Sequence, residues 1–234
     1  IYKKRTLPEL MRALSQVEGI EWIRLHYAYP SKFPLEIIDA MLECPKVCRY
    51  LDMPLQHISD NVLHIMRRQI TKAETGALLD EIRQRVPGIA LRTTFLVGHP
   101  GETEADFEEL LDFVRAQRFE RVGVFQYSHE ESTRAYELPD DIPAEVKAER
   151  AQRLMEVQQE ISLEKNTQKI GKILKVLFDR QEGKYYAGRT EADSPEVDNE
   201  VLVPVKGNYA RLGDFAQVRI THAEEFDLYG ELVR

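Results

Sequence analysis

Residues 43–60 read ECPKVCRYLDMPLQHISD and hold the only two cysteines of the chain, Cys44 and Cys48. Their C-x-x-x-C spacing is part of a C-x-x-x-C-x-x-C iron–sulfur pattern, in which several thiolates must converge on one cluster. The third ligand would fall at position 51, which is Leu51, so the pattern fails. No histidine stands at zinc-ligand spacing beside the pair. Cys44 lies near a helix end and Cys48 inside an apolar strand pattern, where a free cysteine acts as a small hydrophobe.

Better placed for chemistry are three polar loops that each follow a strand pattern. They are residues 54–60, PLQHISD; residues 98–103, GHPGET; and residues 128–133, SHEEST. Enzymes built on parallel strands carry their reactive groups on the loops at the strands' C-terminal ends. The glycines let a ligand approach the backbone, and a helix start offers free N–H groups to an anion. Neither G-x-x-x-x-G-K-[ST] nor G-x-G-x-x-G occurs, so nucleotide hydrolysis and dinucleotide binding lack support.

The elements that must hold these loops alternate along the first 168 residues. Thr6-x-x-Glu9 reads as a capping box ahead of a helix with Leu10, Leu14 and Val17 on one face, followed by a strand over 21–27. A helix over 34–42 leads to a strand over 47–53. Ser59 stands where it can cap a helix carrying Val62, Leu63 and Met66, and Thr71-x-x-Glu74 forms a second capping box before Leu78, Leu79, Ile82 and Val86. A strand over 89–97 precedes a helix capped by Thr103 with Phe107, Leu110, Leu111 and Val114 at i, i+3, i+4, i+7 spacing. After a strand over 121–127, Pro143 opens a charged helix that runs to about residue 168. This order predicts parallel βα units, either a small open sheet or part of a barrel. Beyond Gly171 five short alternating segments separated by turn signals predict a small all-β barrel over 169–234.

Composition narrows the class. With 43% hydrophobic and 31% charged residues and no apolar run near 20 residues, the chain reads as non-membrane. Residues 1–10 carry no apolar signal core, and two cysteines in 234 residues give no disulfide framework, as in a reducing cytoplasm. A net charge of −8 is the wrong sign for affinity resting on phosphate neutralisation, although a local basic patch stays open.

YLDMPLQHISDNVLHIMRR, LRTTFLVGHPGETEADF, VGVFQYSHEESTRAY and the helix VKAERAQRLMEVQQEIS together resemble the radical S-adenosylmethionine (SAM) methylthiotransferases. The resemblance spans essentially the whole chain, with the segment after Gly171 resembling that family's TRAM domain. It implies a partial (β/α) radical SAM barrel at 1–168 and an OB-like TRAM barrel at 169–234. PLQHIS instead of PLQSGS, Thr94 instead of Asp, and YSHEEST instead of an R-P-G-T loop favour the branch that methylthiolates the β-carbon of an aspartate in a small-subunit ribosomal protein. The alternatives are the tRNA-modifying branch and a non-catalytic RNA-binding TRAM module.

The cofactors implied are S-adenosylmethionine and two 4Fe–4S clusters, whose cysteines the resemblance places upstream of this chain; by itself the chain is expected to be inactive. The resemblance implies that Gln56 and Arg68 hold the methionine end or ribose of the cofactor, that Thr94 contacts the ribose, and that Val97 and Gly98 underlie the adenine. It places Tyr27, Tyr29, Tyr127 and Glu130 on the rim facing substrate. The implied partner is the ribosomal protein, with tRNA the lesser expectation.

Overall fold

The computed structural model describes residues 6–233. Its first part runs α1 (Leu7–Ser15), β1 (Ile23–Leu25), α2 (Glu36–Glu43), β2 (Val47–Asp52), α3 (Asp60–Ile65), α4 (Lys72–Arg85), β3 (Ala90–Val97), α5 (Glu104–Gln117), β4 (Arg121–Gln126) and α6 (Ala144–Thr167). The four strands pair in parallel in sequence order, β1-β2-β3-β4. Alternation along β3 sends Leu91, Phe95 and Val97 into a core shared with Ile82, Phe107, Leu110 and Leu154 of the helices. Arg92, Thr94 and Leu96 take the opposite face, where Arg92 and Leu96 are half-buried and Thr94 is buried.

Two expectations for α1 are corrected. The Thr6 side chain makes no capping hydrogen bond, because its backbone (φ −129°, ψ 19°) departs from the extended cap conformation. The α1 residues that pack inward are Pro8, Met11 and Ser15, whereas Leu10 and Val17 are 52% and 47% exposed. The face chosen from apolar spacing is therefore rotated from the one that is buried. The first strand is also shorter than expected, since Tyr27 turns out of it with φ 58°.

The capping boxes at Thr71/Glu74 and Thr103/Asp106 are both present, with hydroxyl and carboxylate satisfying each other's backbone N–H. Ser59 occupies the N-cap position of α3, but its hydroxyl bonds to the Asp106 carboxylate and caps nothing. Asp106 thus ties the starts of α3 and α5 together.

The second part, β5 (Ile173–Glu182), β6 (Tyr185–Arg189), β7 (Glu200–Pro204), β8 (Phe215–Ala223) and β9 (Asp227–Leu232), forms a closed barrel in the order β5-β6-β7-β9-β8. Val176, Phe178, Val201, Val218, Ile220 and Leu228 fill it. Closure at this small radius brings strands close: a Cβ on Gly230 would stand 2.4 Å from a Val218 methyl.

The barrel is locked onto the first sheet. Arg121 of β4 pairs with buried Asp193, Arg92 Nε lies 3.3 Å from Asp198 Oδ1, and the Tyr50 hydroxyl donates to Asp198 at 2.8 Å. Both acids sit on the segment between β6 and β7. Asn166 and Ser162 of α6 donate to the Glu224 and Glu225 carbonyls at 2.9 and 2.5 Å. No helix among the described residues is long and apolar enough to cross a membrane.

Candidate functional site

The three loops singled out from the sequence do converge beyond the C-terminal ends of β2, β3 and β4. Gln56, at φ 72°, continues the pairing of β2 past its break: its N–H donates to the Thr94 carbonyl at 2.9 Å and its carbonyl accepts from Leu96 at 2.7 Å. That fixes the PLQH loop against the end of β3.

The loop after β3 is held by one carboxylate. Glu102 accepts from the N–H groups of Gly98 at 2.7 Å and His99 at 3.3 Å, and Arg150 of α6 donates to its other oxygen at 2.9 Å. Burial pushes Glu102 up to about 7, against the downward pull of Arg150 and the two N–H groups. His57 faces it at 3.8 Å with no hydrogen-bond partner for Nε2 among the described residues, and burial lowers His57 to about 4. Gly98, at φ 75°, leaves room for the Lys147 stem, which would approach an added Cβ to 2.3 Å.

A cleft of about 700 Å³ opens at this end of the sheet between α3 and the loop after β4. Its walls include Leu96, His99, Gln126, Tyr127, Ser128 and Glu130, with Arg134 and Glu137 on the short 3₁₀ turn that covers it. Tyr127 is nearly buried, edge-on to His99 at 5.3 Å between ring centres, and its hydroxyl is 3.2 Å from His129 Nδ1.

The other predicted groups do not line this cleft. Arg68 donates to the Pro54 carbonyl at 2.7 Å and stacks over Tyr29 at 4.7 Å; its Nε has no hydrogen-bond partner among the described residues. Tyr27 and Tyr29 border a separate apolar slot of about 230 Å³ beside β1. The Val97 side chain lies in the core, and Thr94 sits on the polar face, where its hydroxyl accepts from Arg92 at 3.3 Å. The four rim residues thus divide, with Tyr127 and Glu130 in one concavity and Tyr27 and Tyr29 in another.

The sequence did not single out Asp52 and Arg92. Register places them opposite each other, and Arg92 Nη1 donates to Asp52 Oδ1 at 2.9 Å. Asp52 also accepts from the Tyr27 N–H at 3.2 Å, with His26 Nδ1 at 3.8 Å. Buried charge inside an otherwise apolar strand was the available signal.

The chain's own residues do not fit an iron–sulfur cluster. Cys44 and Cys48 are buried in different packing groups, burial raises the Cys48 thiol to about 11, and no group of three potential ligands occurs among the described residues. For S-adenosylmethionine the fit is better: Arg68 offers an unpartnered donor suited to a carboxylate.

Residues 4–114 match the Radical SAM superfamily and residues 170–233 the TRAM domain. The ribosomal protein uS12 methylthiotransferase RimO of Cytophaga hutchinsonii is 58% identical over 234 residues, covering 100% of this chain and 54% of that protein. The chain belongs to the radical SAM methylthiotransferases. RimO of Christiangramia forsetii is 56% identical over 99% of this chain and 51% of its own length. RimO of Bacteroides fragilis is 55% identical over 100% of this chain and 54% of its own. The chain therefore spans about half the length of the curated relatives it matches. Among solved structures, coproporphyrinogen III oxidase HemN from Escherichia coli, a radical SAM enzyme, shares the fold at a TM-score of 0.53 and 21% identity, over 66% of this chain and 36% of that one. S-adenosylmethionine and 4Fe–4S clusters are the cofactors expected in this family.

Proposed function

We propose that this chain is part of an enzyme that adds a methylthio group to the β-carbon of an aspartate in ribosomal protein uS12. The observation that carries this is similarity at 55–58% identity over 99–100% of the chain to relatives named ribosomal protein uS12 methylthiotransferases. The barrel supports it: from residue 172 to 234 nine lysines and arginines face twelve carboxylates, a balance that suits a basic protein partner. In this reading the domain division falls at 168/169 and the protein works in the cytoplasm.

S-adenosylmethionine supplies a radical-generating sulfonium when bound to a reduced cluster held elsewhere. This chain's part is positioning: Arg68 and Gln56 toward the methionine end, Thr94 toward the ribose, and the backbone at Val97 and Gly98, kept in place by Glu102, toward the adenine. Tyr127 and Glu130 line the cleft open to substrate, and Tyr27 and Tyr29 flank the β1 side of the same face.

Deleting the coding region in its host should remove the methylthio mass from the uS12 aspartate peptide and leave methylthiolated tRNA nucleosides unchanged. Loss of a tRNA methylthio nucleoside with uS12 unaltered would move the chain to the tRNA-modifying branch.

A further inference from the structure

His57 is buried beneath the loops of the proposed cofactor site and does not itself line the cleft. Its Nδ1 accepts from the Ser59 N–H at 3.0 Å, and the Ser59 hydroxyl is held in turn by Asp106. Burial keeps the ring neutral, and with Nδ1 occupied as an acceptor its one proton sits on Nε2. That N–H faces Glu102 Oε2 at 3.8 Å, beyond hydrogen-bond range, and has no other partner among the described residues. A buried donor left without an acceptor is costly and calls for a reason.

The two loops on either side of this gap hold opposite ends of the proposed ligand. Glu102 fixes the loop after β3 through the Gly98 and His99 N–H groups and Arg150. His57 belongs to the loop after β2 and follows Gln56, whose backbone is tied to Thr94 and Leu96 of β3. The approach of Nε2 to Glu102 is therefore a side-chain link between the loop assigned to the methionine end and the backbone assigned to the adenine. The other titratable and charged groups around the ring are Asp106 at the start of α5, His99, and Arg150 of α6. Asp106 is already shared by Ser59, Asn61 and Thr103, His99 Nδ1 lies 3.0 Å from the Pro100 carbonyl, and Arg150 brings only donors. Glu102 is left as the acceptor in front of Nε2.

Hydrogen bonds in a working site are often long before the ligand is bound and shorten in the complex. We propose that His57 is a positioning residue for the cofactor: when the adenine is seated on the backbone at Gly98, the His57 Nε2–H closes onto Glu102 and joins the two loops into one frame. The inference rests on the reading of this end of the sheet as the S-adenosylmethionine site, and adds to it a residue that touches no ligand. The closure required is small, from 3.8 Å to about 2.9 Å. A serine at position 57, as in PLQSGS, carries its hydroxyl on Cβ and lacks the reach of the imidazole, so the link belongs to the PLQHIS form of the loop.

The test titrates the full chain with adenosine, the part of the cofactor that needs no cluster, and follows binding by proton–nitrogen NMR, which reads weak affinities. The Gly98 and His99 amides should shift, and the His57 Nε2–H resonance should move downfield with the same midpoint. Two variants separate the two ends of the ring. His57→Asn keeps an acceptor for the Ser59 N–H but cannot reach Glu102, so it should melt cooperatively and bind adenosine about tenfold more weakly. His57→Gln sets an amide N–H where Nε2 stood and should recover the affinity to within about threefold. If His57→Asn does not melt cooperatively, the resonance and His57→Gln decide. An Nε2–H that stays in place while the amides shift, a folded His57→Asn that binds as well as the parent, or a His57→Gln about tenfold weaker than the parent would overturn the inference and leave the cofactor site standing. Adenosine that shifts neither amide in the parent would overturn both.

Discussion

At the scale of single residues, the buried pair Glu102 and His57 sets opposing responses to pH. Their unfolded values lie near 4.3 and 6.5. Glu102 is raised to about 7 in the fold, so its contribution to stability is full below its unfolded value and is lost as pH climbs to about 7. His57 is lowered to about 4, so stability is lost as pH falls from 6.5 toward 4. Between pH 4.5 and 6.5 the two slopes oppose. The groups facing them are Arg150, His99 and Asp106, the last two from the loop after β3 and the start of α5. Relative to the unaltered chain, Glu102→Gln should make the melting temperature rise more steeply with pH across this window. His57→Asn, which keeps an acceptor for the Ser59 N–H, should make it fall. Variants that both track the parent would show that neither group titrates as the geometry requires.

At the scale of elements, Asp106 decides how the helices after β2 and β3 meet. It accepts from Ser59, from Asn61 at 3.0 Å, and from the Thr103 N–H and hydroxyl at 2.9 and 2.7 Å. Burial would raise its carboxyl, yet these bonds outweigh burial and hold it at about 2. Asp106→Ala removes a cap and leaves Ser59 and Asn61 without their acceptor, so a loss of about 2 kcal/mol or more is expected in urea unfolding. Because the folded value is depressed, the difference from the parent should be full above about pH 4 and shrink as pH falls toward 2. A loss under about 0.5 kcal/mol at neutral pH would mean that the two helix starts are held by packing alone.

At the scale of the whole molecule, the joint between sheet and barrel is electrostatic at its centre. Asp193 is fully enclosed, and although burial opposes its charge, Arg121 and then Lys169 keep its carboxyl below the ordinary range. Arg121→Met leaves that charge with one fewer partner and should cost about 3–5 kcal/mol, measured by urea unfolding. Arg121→Met with Asp193→Leu should recover part of the loss, because the charge is then gone as well. A double variant no better than the single would place the energy in shape and not in charge. At the α6 edge of the joint, Glu224→Lys with Glu225→Lys reverses two exposed charges between β8 and β9 while leaving their backbone carbonyls to Ser162 and Asn166. If the barrel meets uS12 through its acidity, this change should slow association in a stopped-flow measurement at low salt and converge with the parent at high salt. Equal rates at low salt would remove the barrel from the encounter.

The order of elements was legible in the sequence because helix caps and apolar periods are local. Thr71-x-x-Glu74, Thr103 with its four-residue apolar stripe, Pro143 and the turn signals after Gly171 each state a boundary within a few residues. The motifs were equally local, and with them the family. What sequence could not supply was any fact resting on pairs far apart in the chain. The buried face of α1 was missed because apolar spacing names a stripe and the neighbours choose which side is covered. Arg92, Asp52 and Asp198 come from three separate segments, and only strand register and barrel docking make them partners. The approach of His57 to Glu102 likewise exists only once the ends of β2 and β3 lie side by side, since residues in separate loops say nothing of their spacing until the chain is folded.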